Sequence, residues 1–228
     1  KKFNENRNQY LRMLEGLTYG EDPRQGYQEG NAFYHPELKF QFPVPSGWQL
    51  ANSPQQVQMA PKDGKSMMIF TLATEKSLTE AANNFVTQNK LQKREDTNLT
   101  VNGFPAKAMI TEQIDEQGVV TLNIMTYFIQ DGSTIYLFHG LAEPASFITY
   151  KNLFRNTMEG FARLTDQAKI NVQPDRMHIE LINVPSTLSA AFRNAGIKAD
   201  RFEEMAIVNG MQLSDQLKRG QLIKVLKK

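Results

Sequence analysis

The period of the apolar positions changes several times along the chain. Phe3, Tyr10, Leu11, Leu14 and Leu17 recur at helical spacing among Asn, Arg and Gln, which predicts a helix over 3–17. Gly16 and the Gly20-Glu21-Asp22-Pro23 stretch stop it, and the polar, glycine-rich run to Gly30 reads as a linker. Leu38, Phe40, Phe42 and Val44 then alternate with polar residues or proline, as a half-buried strand does, and Pro43 and Pro45 suggest an edge. Met67 to Leu72 is continuous enough for a central strand. Ser77-Leu78-Thr79-Glu80 is a capping box, followed by Leu78, Ala81, Ala82, Phe85 and Val86 on one helical face.

Turn residues then punctuate a run of strands. Asn102-Gly103 is a two-residue hairpin signal between Leu99-Thr100-Val101 and Ala106 to Gln113. Asp115 to Gly118 leads into Val119 to Ile129, and Asp131-Gly132 into Thr134 to Leu141, which makes an antiparallel meander. Pro144 opens a helix carrying Phe147, Tyr150, Phe154, Met158 and Phe161 on one face. After the polar stretch Asp166 to Pro174 come a strand with Met177, Ile179 and Leu181, a helix over 187–195 stopped by Gly196, and a helix started by Asp200 that ends at Asn209-Gly210. Leu222 to Leu226 forms a last strand, so about 55 residues read βααβ. The fold class is therefore α+β: an antiparallel sheet covered by helices, followed by a small βααβ domain. The expected boundaries are 1–32 helix and linker, 33–166 sandwich, 167–175 linker and 176–228 small domain.

Composition removes whole classes of function. The 228 residues carry 26 Lys+Arg and 24 Asp+Glu, a formal charge of +2, which gives no basic excess for nucleic acid. No cysteine is present, so disulfides, thiolate zinc, iron–sulfur clusters and cysteine nucleophiles are excluded. No apolar run reaches the roughly 18 residues that a membrane helix needs.

Candidate chemistry is sparse. His35, His139 and His178 lie too far apart for local zinc-ligand spacing, and His178 with Glu180 on one strand face reads as a solvated pair. No GxSxG, GxGxxG or Walker A pattern occurs, and Glu203-Glu204 and Asp115-Glu116 fall in a helix start and a turn. Trp48, after Pro45-Ser46-Gly47, is expected to plug the end of a sheet. Met67, Met68, Met109, Met125 and Met158 are expected to fill core, and Tyr127, Phe128, Tyr136 and Phe138 to pack across strands. No residue of this chain is assigned a catalytic or metal-binding role.

Two stretches resemble known families. Tyr10-Leu11-Arg12-Met13-Leu14-Glu15-Gly16-Leu17-Thr18-Tyr19-Gly20-Glu21-Asp22-Pro23-Arg24-Gln25-Gly26, then Phe33-Tyr34-His35-Pro36-Glu37-Leu38-Lys39-Phe40 and Pro45-Ser46-Gly47-Trp48, resemble the segment after the catalytic domain in bacterial HExxH zinc-dependent metallopeptidases related to the CAAX prenyl endopeptidase. Val184-Pro185-Ser186-Thr187-Leu188, Phe202 to Met211, and Leu217 to Val225 resemble a LysM module, with Pro185-Ser186 in place of its Gly-Asp and Arg219 in place of its Pro. More loosely, residues 33–165 resemble the PsbP-like sandwich in their F-x-x-P-x-G-W entry, meander and Phe-rich last helix.

The resemblance implies the non-catalytic C-terminal region of an exported metallopeptidase, in the periplasm or cell envelope, whose HExxH and zinc lie outside this chain. This chain would then hold no cofactor. Its partners would be its own catalytic domain and protein substrates or envelope proteins. The alternative is a cell-wall module that binds N-acetyl glycans of peptidoglycan, with contacts from Asn183, Pro185, Ser186 and Thr187 in one loop and Asn209, Gly210 and Met211 in another. A third class is a stand-alone enzyme with an unrecognised site.

Overall fold

In chain order the elements are α1 (Arg7–Met13), β1 (Tyr27–Glu29), β2 (Ala32–His35), β3 (Phe40–Pro43), β4 (Gln49–Asn52), β5 (Val57–Ala60), β6 (Ser66–Leu72), α2 (Leu78–Gln88), β7 (Gln92–Val101), β8 (Phe104–Ile114), β9 (Val120–Asp131), β10 (Thr134–Ala142), α3 (Pro144–Glu159), β11 (Ala162–Arg163), α4 (Gln167–Ile170), β12 (Arg176–Leu181), β13 (Ser186–Thr187), α5 (Leu188–Asn194), α6 (Phe202–Asn209), β14 (Gln216–Leu217) and β15 (Leu222–Lys227). They come from a computed structural model, which describes residues 6–228; Phe3 of the expected first helix lies outside the described residues.

Residues 25–171 form one unit. Its seven-stranded antiparallel sheet runs in the order β4-β5-β6-β10-β9-β8-β7, and the meander β7 to β10 supplies four adjacent strands. The first meander turn closes as the dipeptide predicts: Asn102 and Gly103 both take positive φ, 47° and 90°, the pair a tight right-twisted hairpin requires. Alternation along the strands gives the sheet two apolar faces. On one, Met109, Phe128 and Ile135 meet Ala81 and Ala82 of α2. Ser77 caps α2 by accepting the Glu80 N–H through its hydroxyl. On the other face, Met125, Tyr127, Ile129, Tyr136 and Phe138 meet Phe147, Tyr150, Phe154 and Met158 of α3 and Phe33, Phe40 and Phe42 of a second sheet.

That second sheet, β1-β2-β3-β11, corrects the expected linker. Residues 27–35 are a hairpin, and β3 is internal to its sheet. Pro43 is tolerated there because the two-residue β11 pairs only with Phe40 and Gln41 and asks no N–H of residue 43. Trp48 sits at one end of the core, edge to face with Tyr150 and Phe154 at 5.9 and 6.3 Å. Met67 is 39% exposed and fills no core, unlike Met68, Met109, Met125 and Met158.

The other unit joins residues 172–228 to residues 6–24. Here the expected βααβ order holds: β12 and β15 form an antiparallel ribbon, and α5 and α6 lie between them in sequence. Leu188, Phe192, Met205, Ile223 and Val225 make its core. The first segment is not a free linker. Gly16 N–H donates to the Met177 carbonyl at 2.8 Å and Met177 N–H to the Leu17 carbonyl at 2.8 Å, and Leu11 is buried. A short bridge, β13 with β14, was not visible in the pattern. Asp200 does not cap α6 either; a 3-10 turn, Ala199–Arg201, leads into that helix without a side-chain cap.

Candidate functional site

One helix is about 10 Å wide, whereas strands are spaced about 4.8 Å apart, so a single helix leaves part of a wide sheet uncovered. In the sandwich unit α3 lies over β6, β9 and β10. Beside it, towards β7, a groove of about 250 Å³ opens. Its floor is apolar, with Leu99, Ala108, Ile110, Met125 and Tyr127. Its rim is polar and charged: Glu95 and Thr97 from β7, Arg155 and Glu159 from α3. Register explains the floor, since Ile110 faces Met125, and Ala108 faces Tyr127, directly across β8 and β9.

The buried Tyr127 donates its phenol to Glu159 Oε1 at 2.8 Å. Burial, then this bond to a carboxylate, push its pKa up to about 12, while Arg155 beside it works the other way. Tyr127 therefore stays a neutral donor and ties the end of α3 to the groove floor. Lys151 reaches across to Glu95 at 3.8 Å. An apolar channel with both signs of charge on its rim is suited to hold a chain segment.

The loop residues expected to contact glycan divide into those the fold already uses and those left at the surface. Thr187 caps α5 by accepting the Ala190 N–H. Asn209 donates to the Met205 and Lys224 carbonyls and accepts the Lys224 N–H, so its amide is committed to joining α6 to β15. Asn183 and Ser186 line a groove of about 300 Å³ with Ile182, Ala191, Asn194 and Ile223. Gly210 and Met211 line a separate, open hollow with Ile207, Gln212 and Asp215. Pro185 is exposed. Ser186 and Thr187 pair with Leu217 and Gln216, not with the Asn209–Met211 turn.

The histidines stay apart in function as in sequence. His35 accepts the Leu38 N–H through Nδ1, and burial lowers its pKa. His139 lies 3.0 Å from the Thr126 hydroxyl beneath the Phe85 ring, and burial drives its pKa down to about 4. His178 pairs with Glu15 at 2.9 Å, and Glu180 pairs instead with Lys227, so they share no ligand. Among the described residues no three of His, Asp and Glu come close enough to hold a metal ion, and no helix is long and apolar enough to cross a membrane.

No known family model matches this chain, and no curated protein matches it. Solved structures do. The chain is similar to cyanobacterial PsbP (CyanoP) from Synechocystis sp. PCC 6803, at 12% identity and a TM-score of 0.49 over 60% of this chain and 94% of that one. It is similar to the Ran-binding protein Mog1p of Saccharomyces cerevisiae, at 14% identity and a TM-score of 0.42 over 63% and 99%. It is also similar to LpqN of Mycobacterium tuberculosis, involved in cell envelope biogenesis, at 12% identity and a TM-score of 0.42 over 69% and 96%. These likenesses carry no function to this chain.

Proposed function

We propose that this chain is the non-catalytic, protein-holding region of an exported zinc-dependent metallopeptidase of the bacterial cell envelope, and that the groove beside α3 is where a substrate or partner segment rests. The groove is the observation that supports this reading most. It combines an apolar floor of Leu99, Ile110 and Met125 with a rim of Glu95, Arg155 and Glu159, the composition of a protein-contact surface. Zinc belongs to a catalytic domain outside these residues, and no step of a reaction runs through the residues described here. The Tyr10–Gly26 motif supports the family reading.

The test has two parts. The coding sequence ahead of Lys1 is read for HExxH and an export signal. In the parent protein, Leu99→Asp with Arg155→Glu is then compared with wild type. The expected outcome is a loss of about tenfold in kcat/KM on a folded protein substrate, with cleavage of a short peptide unchanged. An upstream sequence without a metal motif, or equal loss on both substrates, overturns the reading.

A second reading rests on the resemblance of residues 184–225 to a LysM module, and the groove of about 300 Å³ lined by Asn183 and Ser186 supports it. Retention on peptidoglycan at modest salt, lost in Asn183→Ala with Met211→Ala, would favour it; no retention rejects it.

A further inference from the structure

The segment Arg7–Arg24 is seated along β12 much as an added strand is seated on a sheet edge. Besides the two main-chain bonds to Met177, Tyr19 N–H donates to the Asp175 carbonyl at 2.8 Å, and Thr18 bridges Arg176 antiparallel. Where the main-chain ladder stops, Glu15 continues it with a side chain. One carboxylate oxygen accepts the Ile179 N–H at 2.8 Å, and the other meets His178 Nδ1. Arg176 returns a bond to the Gly16 carbonyl at 2.9 Å. Ahead of the strand, α1 is anchored by buried Leu11 and by Arg7, whose guanidinium donates to the Leu222 carbonyl. Tyr19 packs on the unit's core. These contacts leave few polar groups of that edge to solvent.

A second observation concerns the sandwich unit by itself. Its first and last elements are clamped together: Tyr27 Oη donates to the Lys169 carbonyl, Lys169 pairs with Glu29, and Lys169 Nζ lies 5.3 Å over the Tyr34 ring. Adjacent chain ends are what an inserted domain needs.

We propose that the edge of β12, with the seat of Leu11, is an acceptor site for one strand of the kind Leu-Glu-Gly-Leu-Thr-Tyr, that its occupant is this chain's own residues 7–24, and that the seat holds this occupant without needing the covalent link through residues 25–171. The sandwich unit is then an inserted arm. Anything joined ahead of Arg7 is carried to the C-terminal unit, and the covalent path through the arm serves to keep the local concentration of the strand high. The inference stands independently of the peptidase reading.

The experiment uses the full chain with a specific protease site inserted between Arg24 and Gln25. After cleavage the protein is run on gel filtration at about 10 µM, a concentration at which a strand held with a Kd near 1 µM stays mostly bound. Residues 1–24 are expected to co-elute with the rest, and a labelled synthetic 6–24 peptide in excess is expected to exchange into the seat. Glu15→Ala is expected to weaken retention at least tenfold, and exposed Tyr10→Ala to leave it unchanged. Hydrogen exchange at the Met177 and Ile179 amides reads the same seat in the uncut protein and is expected to quicken in Glu15→Ala. Separation of the 1–24 peptide from the cleaved wild type, or equal retention in Glu15→Ala and wild type, overturns the proposal.

Discussion

Glycine in the middle of a buried strand weakens it, so Gly140 of β10 needs a reason. A Cβ built there would lie 2.5 Å from the Phe154 ring. Only glycine lets α3 descend far enough for Phe154 to be fully buried on the sheet. Gly140→Ala is therefore expected to destabilise the sandwich unit by about 1–3 kcal/mol, read from its urea midpoint. His139, next to it on the opposite face, makes stability depend on pH. The free imidazole titrates near 6.5 and the buried one near 4, so between these values the unfolded chain takes up a proton that the folded chain refuses. Its contribution is complete above pH 6.5, falls as the pH drops towards 4, and totals up to about 3 kcal/mol. The stability of wild type relative to His139→Leu is expected to decline across that window; a constant gap would show that His139 is protonated without cost. Neither role was legible from one residue. A lone His and a lone Gly have many uses, and which one applies depends on the ring that a distant helix lowers onto them.

Elements were readable where their signal was local. The Ser77 capping box, the Asn102-Gly103 hairpin and Pro144 at the start of α3 act through neighbours within a few positions, and each stands where the pattern put it. The outer half of β7 was missed because Gln92 to Asn98 is exposed along its length and so has no apolar alternation to show. Its charges and the irregular register between Lys93 and Glu95 suit an edge strand that must not pair further. In the small unit, Asn209 continues the ribbon's outer side with its side chain, using both amide atoms on Lys224. Asn209→Ala leaves that peptide group and the Met205 carbonyl without those partners. The expected cost is about 1–3 kcal/mol, with faster amide exchange at Lys224. Asn209 was singled out for glycan contact because a turn residue at a helix end can serve either purpose; the position of β15, fifteen residues on, decides between them.

At the scale of the whole molecule, each unit has its own set of buried residues, with the aromatic core of the sandwich in one and Leu188, Phe192 and Met205 at the centre of the other. Separate cores favour separate cooperative unfolding. Leu11→Asp is accordingly expected to lower the transition of the C-terminal unit and to quicken exchange along Arg176–Leu181 while leaving β9 protected; uniform loss of protection would show a single cooperative body. The sequence by itself determined the α+β class, the meander, the two long helices and the βααβ order, because hydrophobic period, caps and turn residues act over a few residues. It also held the groove floor, as alternate apolar positions on β8 and β9, without marking those positions as a groove. Only the tertiary structure decided that one helix leaves that floor open, that residues 27–35 form a second sheet, and that Leu11, Glu15 and Tyr19 belong with residues 172–228. The last of these depends on pairing across more than a hundred positions, Glu15 with Ile179 among them, and the first on a helix laid back over strands that precede it. The partner is therefore set by which apolar face and which unfilled strand edge remain after the local elements have formed. The 27–35 hairpin pairs locally, but its mostly polar residues carry no apolar alternation to read.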